Sequence, residues 1–246
     1  MKLSVIIPHY NEKTYVGEIL RRVEAVPLDK EIILVDDGSS EEVRVYLRQE
    51  IEGRFKDLRI FYHERNQGKG AAIRTALDHV RGDIVIIQDA DLEYDPQDYL
   101  PIYEKFKDPK VQVVYGSRHM NVKFFRFLIQ WFSNRFLGGN YQVGYFHHYA
   151  GVQALNMIAN ILFSAHTTDT ATCYKAFRTE VLQKIPLNCI GFEFCMEVTA
   201  KVRKSGYKIH EVPISYHPRS KEQGKKLRWM FGFKAISTFF HYRFFK

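Results

Sequence analysis

The first 117 residues alternate short β-branched runs with stretches whose apolar positions recur at helical spacing. Residues 3–7 (LSVII), 31–35 (EIILV), 58–62, 83–88 (DIVIIQ) and 111–115 (VQVVY) read as strands. Residues 14–25, a stretch running to about Glu50, and residues 70–80 read as helices between them. Asp95-Pro96 places an N-cap and a first-turn proline at the head of a further helix. Such a series predicts parallel strands covered on both faces, an α/β doubly wound, Rossmann-like sheet. Ligands of these sheets sit beyond the carboxyl ends of the strands, so the residues just after each strand are the ones to inspect.

The second half changes character. Residues 119–166 are rich in Phe, Tyr and Asn, and two segments, 124–136 (FFRFLIQWFSNRF) and 149–163 (YAGVQALNMIANILF), can each be written as an amphipathic helix. A strand at 173–177, a helix at 193–204 and a strand at 207–212 follow, and the chain closes on LRWMFGFKAISTFFHYRFFK. With 46% hydrophobic residues the chain can bury a full core, and its 246 residues suit one domain. No run of 18 apolar residues occurs, and the apolar run in MKLSVIIPHYNE is too short for a signal peptide. The three cysteines, Cys173, Cys189 and Cys195, make neither a disulfide framework nor a zinc pattern, and His147-His148 has no third ligand nearby.

The net charge of +8 is unevenly placed. From Lys201 to Lys246 there are twelve basic side chains against Glu211 and Glu222, so the rest of the chain is close to neutral. A basic, aromatic tail suits an anionic partner: a phosphate-bearing substrate, an acidic lipid surface or nucleic acid.

The chemistry gathers at strand ends. After the fourth strand comes QDADLE, with Asp89, Asp91 and Glu93 at alternate positions. Three carboxylates there could converge on Mg²⁺ or Mn²⁺, held together with substrate phosphates; the plain alternative is a solvated acidic turn. The first strand runs into Pro8-His9-Tyr10-Asn11-Glu12 and the second into Asp36-Asp37-Gly38-Ser39, where an acidic pair can bond a base or ribose or simply start a helix. Asn66-Gln67-Gly68-Lys69-Gly70 precedes a helix, so its N–H groups and Lys69 could face a phosphate; otherwise it is a glycine-rich turn. Neither GxxxxGK[ST] nor GxGxxG occurs, which disfavours a P-loop ATPase and a dinucleotide fingerprint. Arg118, after the fifth strand, could place a guanidinium on an anion.

Taken in order, VIIPHYNE, IILVDDGS, RNQGKGAAIRTAL, GDIVIIQDADLEYDP, YGSR, TDTATCYKAFR, GFEFCMEVTAKV, YKIHEVPISYHPRS and EQGKK resemble glycosyltransferase family 2, and within it the dolichyl- and polyprenyl-phosphate sugar synthases. The resemblance runs from about Lys2 to Arg228 and is weakest over 119–166. It implies a GT-A fold, a mostly parallel sheet with helices on both faces, and amphipathic interface helices in the second half. It also implies inverting, metal-dependent transfer of a hexose from a nucleotide-diphosphate sugar, of the GDP-mannose or UDP-glucose type, to a polyprenyl or dolichyl phosphate. Residues 1–118 would then hold the nucleotide sugar, and residues 119–246 the acceptor and the membrane-facing helices.

The same resemblance assigns residues. Pro8, Tyr10 and Glu12, with Val35 and Asp37, would line the nucleoside pocket, and Lys69 and Asp89 would complete the nucleotide site. Asp89 and Asp91 match the DxD that holds Mg²⁺ or Mn²⁺ on the diphosphate, with Glu93 as a further ligand. Arg118 would face phosphate; Arg219 and Lys225 fall in a basic segment that closes over donor and acceptor phosphates; Asp169 and Glu197 match acidic positions near the acceptor. Asp91, Arg118 and Asp169 form the expected catalytic set. An acceptor phosphate, with a second pKa of about 6, needs no strong base, whereas a sugar hydroxyl would need one, and Asp169 is the candidate.

Many such synthases carry C-terminal transmembrane helices, and this sequence shows none. Its expected place is therefore the cytosolic membrane face, reached peripherally, through a membrane-anchoring partner or as a homo-oligomer. Cys173 stands where many relatives have glycine. The readings left beside the lipid-phosphate acceptor are a saccharide hydroxyl acceptor and a non-catalytic membrane or anion-binding module. Nucleic acid is not an expected partner.

Overall fold

In the computed structural model, which describes residues 1–120, 144–219 and 230–245, the elements follow the order β1 (Leu3–His9), α1 (Lys13–Ala25), β2 (Lys30–Asp36), α2 (Glu41–Tyr46), β3 (Leu58–Tyr62), α3 (Lys69–Leu77), β4 (Ile84–Ile87), α4 (Tyr99–Lys105), β5 (Val113–Ser117), α5 (Gly144–Phe163), β6 (Lys175–Arg178), α6 (Thr179–Lys184), α7 (Phe194–Lys204), β7 (Ile209–Pro213) and α8 (Met230–Phe244). A π-helical turn (Leu47–Ile51) extends α2. A 3-10 turn (Pro96–Asp98) leads into α4, its first N–H (Gln97) capped by the Asp95 carboxylate at 3.0 Å. The segment 124–136 and Lys225 lie outside the described residues.

The strands form one sheet in the order β3-β2-β1-β4-β6-β5-β7. Val5, Ile6 and Ile7 of β1, Ile32, Ile33, Leu34 and Val35 of β2, and Ile84, Val85, Ile86 and Ile87 of β4 are all buried. Consecutive buried residues alternate between the two faces of a strand, so the centre of the sheet is covered on both sides, as the unbroken apolar runs require. β3, at one edge, is only half-buried. Helix α3 packs on β1 and β2 through a face that includes Ala71, Ala72 and Ala76, whose small side chains let the backbone come close.

β1 pairs in parallel with β2 on one side and β4 on the other, so the winding direction reverses between β1 and β4. That reversal opens a crevice beyond the carboxyl ends of these strands.

The five strands of the repeating series, β1 to β5, run in one direction as their pattern predicts; β6 lies between β4 and β5 and runs antiparallel to both, with Phe177 opposite Val85 on one side and Val113 on the other. Hydrophobic patterning specifies that a strand is buried, not which strand lies beside it, and the long connection after β5 lets the chain return in the opposite sense.

Helices α5, α7 and α8 pack against one another, with the rings of Phe163 and Phe239 5.8 Å apart. On α5 the buried side includes Val152, Leu155 and Ala159, while Met157 and Ile161 face outward. On α8, Ala235, Phe239 and Tyr242 are buried, and Phe233, Phe240 and Phe244 are exposed.

Candidate active site

The crevice is built around the chain leaving β4. Gln88 is fully buried; its Oε1 accepts hydrogen bonds from the Tyr99 and Tyr174 hydroxyls at 2.6 and 2.7 Å, and its Nε2 donates to the Asp89 carbonyl at 2.9 Å. Two tyrosines on one amide oxygen fix the strand exit before the acidic residues begin. Asp89 then pairs with the Lys69 ammonium from the start of α3. Burial alone would raise the Asp89 pKa, but Lys69 outweighs it and holds the carboxylate below its usual range. The same pairing holds Lys69 well above the usual lysine value despite its own burial.

Asp91 turns the other way. Its Oδ1 accepts from the Glu93 N–H at 3.0 Å and its Oδ2 from Arg219 Nη2 at 2.6 Å. Burial, together with the charges of Asp89 and Glu93, raises its pKa to about 7 against the opposing pull of Arg219. Glu93 Oε2 accepts from the Tyr216 hydroxyl at 2.8 Å, while Oε1 accepts from Arg219 N at 3.1 Å and Nε at 3.3 Å. Arg219 Nη1 reaches Glu12 Oε2, beyond β1, at 3.2 Å. Arg219 thus links acids from the ends of two neighbouring strands.

The expected convergence of Asp89, Asp91 and Glu93 on one point is not what the side chains show: Asp89 faces Lys69, and Asp91 and Glu93 face Arg219. Among the described residues no three acidic, histidine or cysteine groups form a ready cage. The chemistry of Asp89 and Asp91 still fits a divalent ion. Mg²⁺ and Mn²⁺ favour hard oxygens and are often held by one or two carboxylates plus phosphate oxygens, and Asp91, Glu93 and Glu12 share the single positive charge of Arg219.

At the carboxyl ends of β1 and β2, Pro8 is paired with Val35 and Tyr10 is exposed. Val35 is wholly buried, so its side chain belongs to the core and only its main chain can border the crevice. Asp37 is also buried: Oδ1 accepts from His63 Nδ1 at 2.7 Å and Gln67 N at 2.9 Å, and Oδ2 from Gly68 N at 2.7 Å. These bonds correct a second expectation. The N–H groups of the glycine-rich segment do not face a free phosphate site, because Gln67 and Gly68 donate to Asp37 while Gly70 and Ala71 donate to the Ile190 carbonyl at 2.7 and 3.3 Å. The glycines have a packing reason: Gly68 has φ +97°, and a Cβ at Gly68 or Gly70 would run into the main-chain oxygen of Ile190 or Cys189.

Beyond β5, Arg118 and Asp169 form a buried two-point pair, Nε to Oδ2 and Nη2 to Oδ1, each 2.7 Å, and the Arg118 N–H adds a third bond at 3.1 Å. Burial would raise the Asp169 pKa, but Arg118 holds it below the usual carboxylate range. The turn bearing Asp169 is pinned by Glu211, which accepts from the Thr167 and Thr168 hydroxyls at 2.6 and 2.9 Å, and by the buried Lys175 ammonium on the Thr170 and Thr172 carbonyls. The Arg118 guanidinium lies 4.9 Å from the Tyr216 ring, so Tyr216 touches both arginine–carboxylate groups.

Glu197 is placed away from these groups. It accepts from Asn188 N, Cys189 N, Lys201 Nζ and the Tyr242 hydroxyl, all at 2.6–2.7 Å, and so fixes the loop whose Ile190 carbonyl caps α3. Burial acts against its charge, but these bonds hold its pKa below the usual glutamate value. The sequence reading omits Gln88, Tyr216, Lys175 and His63. Gln88 was detectable, as the last buried position before the acids; the others take their roles from contacts distant in sequence.

The profile of Glycosyl transferase family 2 matches residues 4–185. The chain is 29% identical over 234 residues to a dolichol-phosphate mannosyltransferase of Pyrococcus furiosus, covering 92% of this chain and 59% of that one. It is 31% identical over 144 residues to a dodecaprenyl-phosphate galacturonate synthase of Rhizobium johnstonii, covering 56% of this chain and 43% of that one. It therefore spans less than two thirds of either relative. Among solved structures, glucosyl-3-phosphoglycerate synthase of Mycobacterium tuberculosis, crystallised with Mn²⁺, UDP and phosphoglyceric acid, superimposes with a TM-score of 0.67 at 15% identity, covering 100% of this chain and 79% of that one. That likeness establishes the GT-A fold.

Proposed function

This chain belongs to glycosyltransferase family 2, and from that premise we propose that it moves a hexose, with inversion at C1, from a nucleotide-diphosphate sugar to a polyprenyl or dolichyl phosphate. The observation that carries the reading is the division of charge at the crevice. Asp89 and Asp91 stand on the donor side, and the one acid of the expected catalytic set on the acceptor side, Asp169, is held ionised and buried by Arg118. Asp169 is thereby a positioning partner rather than a base, which suits an acceptor that arrives already as an anion.

In the reaction, an acceptor phosphate oxygen forms a bond to C1 as the C1–O bond to the diphosphate breaks, and the nucleoside diphosphate leaves with the electron pair. No proton need be removed from a phosphate dianion. The departing charge falls next to Arg219 and Lys69, where cations aimed at it lower the transition state more than the ground state. A divalent ion on Asp89 and Asp91 would add Lewis-acid stabilisation of the same diphosphate. Glu12, Tyr10, Pro8 and Asp37 border the nucleoside end, and Arg118 faces the acceptor phosphate from its aromatic bed.

Peripheral attachment to a membrane surface accompanies this reading. Neither α5 nor α8 contains an acidic residue, Met157, Ile161, Phe233, Phe240 and Phe244 point outward, and Lys234 and Arg243 lie on α8. No helix among the described residues is long and apolar enough to cross a bilayer. Apolar side chains flanked by cations suit an interfacial position over anionic headgroups.

The decisive experiment is a thermal-shift screen of UDP- and GDP-sugars with Mn²⁺ or Mg²⁺, run beside Asp91→Ala. One nucleotide sugar should stabilise the protein in a metal-dependent way, and the variant should lose that effect along with about 10³-fold in turnover. With the donor identified, transfer to polyprenyl phosphate but not to free saccharides completes the assignment. Silence from every donor would sink it.

A further inference from the structure

Arg219 makes an unusual set of contacts for an arginine. Guanidinium and carboxylate match each other as two parallel bonds, the arrangement that Arg118 and Asp169 adopt. Arg219 instead spreads its three nitrogens over three acids: Nη1 to Glu12 at 3.2 Å, Nη2 to Asp91 at 2.6 Å and Nε to Glu93 at 3.3 Å, with Tyr15 beneath the group at 5.5 Å. Three carboxylates that would otherwise repel one another share one positive charge. One of them, Asp91, belongs to the pair that suits a divalent ion, and Glu12 borders the nucleoside end. The guanidinium spans the ground a metal-bound diphosphate would cover.

We infer that Arg219 is a resident counter-cation: it neutralises the donor site before the donor arrives, and the incoming metal and diphosphate must displace it from Asp91. The inference rests on the donor-site reading above and deepens it. A guanidinium held by single contacts to three acids is exchangeable, because no one partner is bonded in the fork geometry. Once displaced, the same group lies beside the diphosphate and can bond it, so one side chain first neutralises the acids and later steadies the leaving group. The arrangement lowers apparent metal affinity by the fraction of time Asp91 is free of the guanidinium.

The test is a Mn²⁺ titration, followed by electron paramagnetic resonance, with and without UDP or GDP. It compares the wild type with Arg219→Gln, Arg219→Lys and Asp91→Asn, all first checked for an intact melting transition. In Arg219→Gln, Mn²⁺ affinity should rise by about tenfold or more while turnover falls, two effects of opposite sign from one substitution. Arg219→Lys separates displacement from simple charge: it keeps the positive charge but cannot span three acids, so it should also bind Mn²⁺ more tightly than the wild type. Asp91-dependent binding with equal affinity in wild type and Arg219→Gln would overturn the inference alone. A gain in the Gln variant with Lys equal to wild type would also overturn it, reducing the effect to local charge. If no protein shows Asp91-dependent binding, the donor-site reading falls together with it.

Discussion

Two arginines face the same crevice and are held in opposite ways. Arg118 meets one partner, Asp169, in a matched pair of 2.7 Å bonds, with aromatic rings of Tyr216 and Tyr94 against it and almost no exposure to solvent. The Arg219 guanidinium meets three partners, each through one nitrogen and over a spread of 2.6–3.3 Å. The first arrangement leaves both oxygens of its acid paired, so it serves as framework. In the second, positive charge falls short of negative charge, and the deficit is visible in Asp91, whose pKa is raised to about 7 by burial and its acidic neighbours. On the proposed reading the two serve different ends, a fixed group to orient the acceptor and an exchangeable one to make way for the donor.

The comparison breaks most readily at Asp169. Replacing it with alanine strands a buried guanidinium, a loss of about 3–5 kcal/mol, which in a chain of this size should lower the melting midpoint by roughly 6–20 °C. Calorimetry or a dye-based melt reads this directly, and a drop as small as that of an Arg219 variant would erase the distinction between the two arginines.

Glu197→Gln tests whether the framework extends to the loop that caps α3. The variant should lose about 1–3 kcal/mol at neutral pH. The sign of its pH dependence follows from the direction of the shift. Because the folded state holds Glu197 below its ordinary 4.5, its stabilisation is complete above that value and is lost as pH falls through the lower, folded pKa. Denaturant melts at pH 7 and pH 3 should therefore differ more in the wild type than in the variant, and parallel losses would show that the glutamate is not held in its charged form.

Gly70→Ala sharpens the point at the backbone level. The added methyl meets the Cys189 carbonyl and must push apart α3 and its capping loop, at a cost of about 1–3 kcal/mol. The shift passes through Lys69 to Asp89, so donor-induced stabilisation should weaken as well. The smallest expected effect on stability belongs to Arg219→Gln, below about 1 kcal/mol, because Asp91 can take up a proton near neutral pH once the guanidinium is gone. A loss comparable to that of Asp169→Ala would mean that Arg219 too is framework, and it would count against displacement by the donor.

Much of this molecule could be read from local sequence. The runs LSVII, EIILV and DIVIIQ form buried strands because consecutive aliphatic residues put apolar side chains on both faces, and the Asp95-Pro96 cap forms because a carboxylate meets an orphan N–H at the start of a helical turn. The acids after β4 reach the crevice because they follow a buried strand at the reversal of the sheet. What escaped the sequence was partnership. Nothing in RNQGKG says that its N–H groups are spent on Asp37 and on the carbonyl of Ile190, and nothing in TDTAT says that Asp169 will meet Arg118 in a fork. Glu197, which matched an acidic position near the acceptor, sits in a hydrogen-bond set that joins its own helix to the preceding loop and to α8.

By itself the sequence determined which segments of the first 117 residues are strands and helices, which ends of the sheet carry charge, and to which family the chain belongs. These follow from the period of the apolar residues and from short motifs, both local properties of the chain. The tertiary structure alone decided that β6 slips antiparallel between β4 and β5, that Asp89 turns to Lys69, and that Arg219 lies across Glu12, Asp91 and Glu93. A hydrogen bond or ion pair is set by distances of about 3 Å between groups that folding brings together from opposite ends of the chain, and the order of residues carries no direct record of those distances.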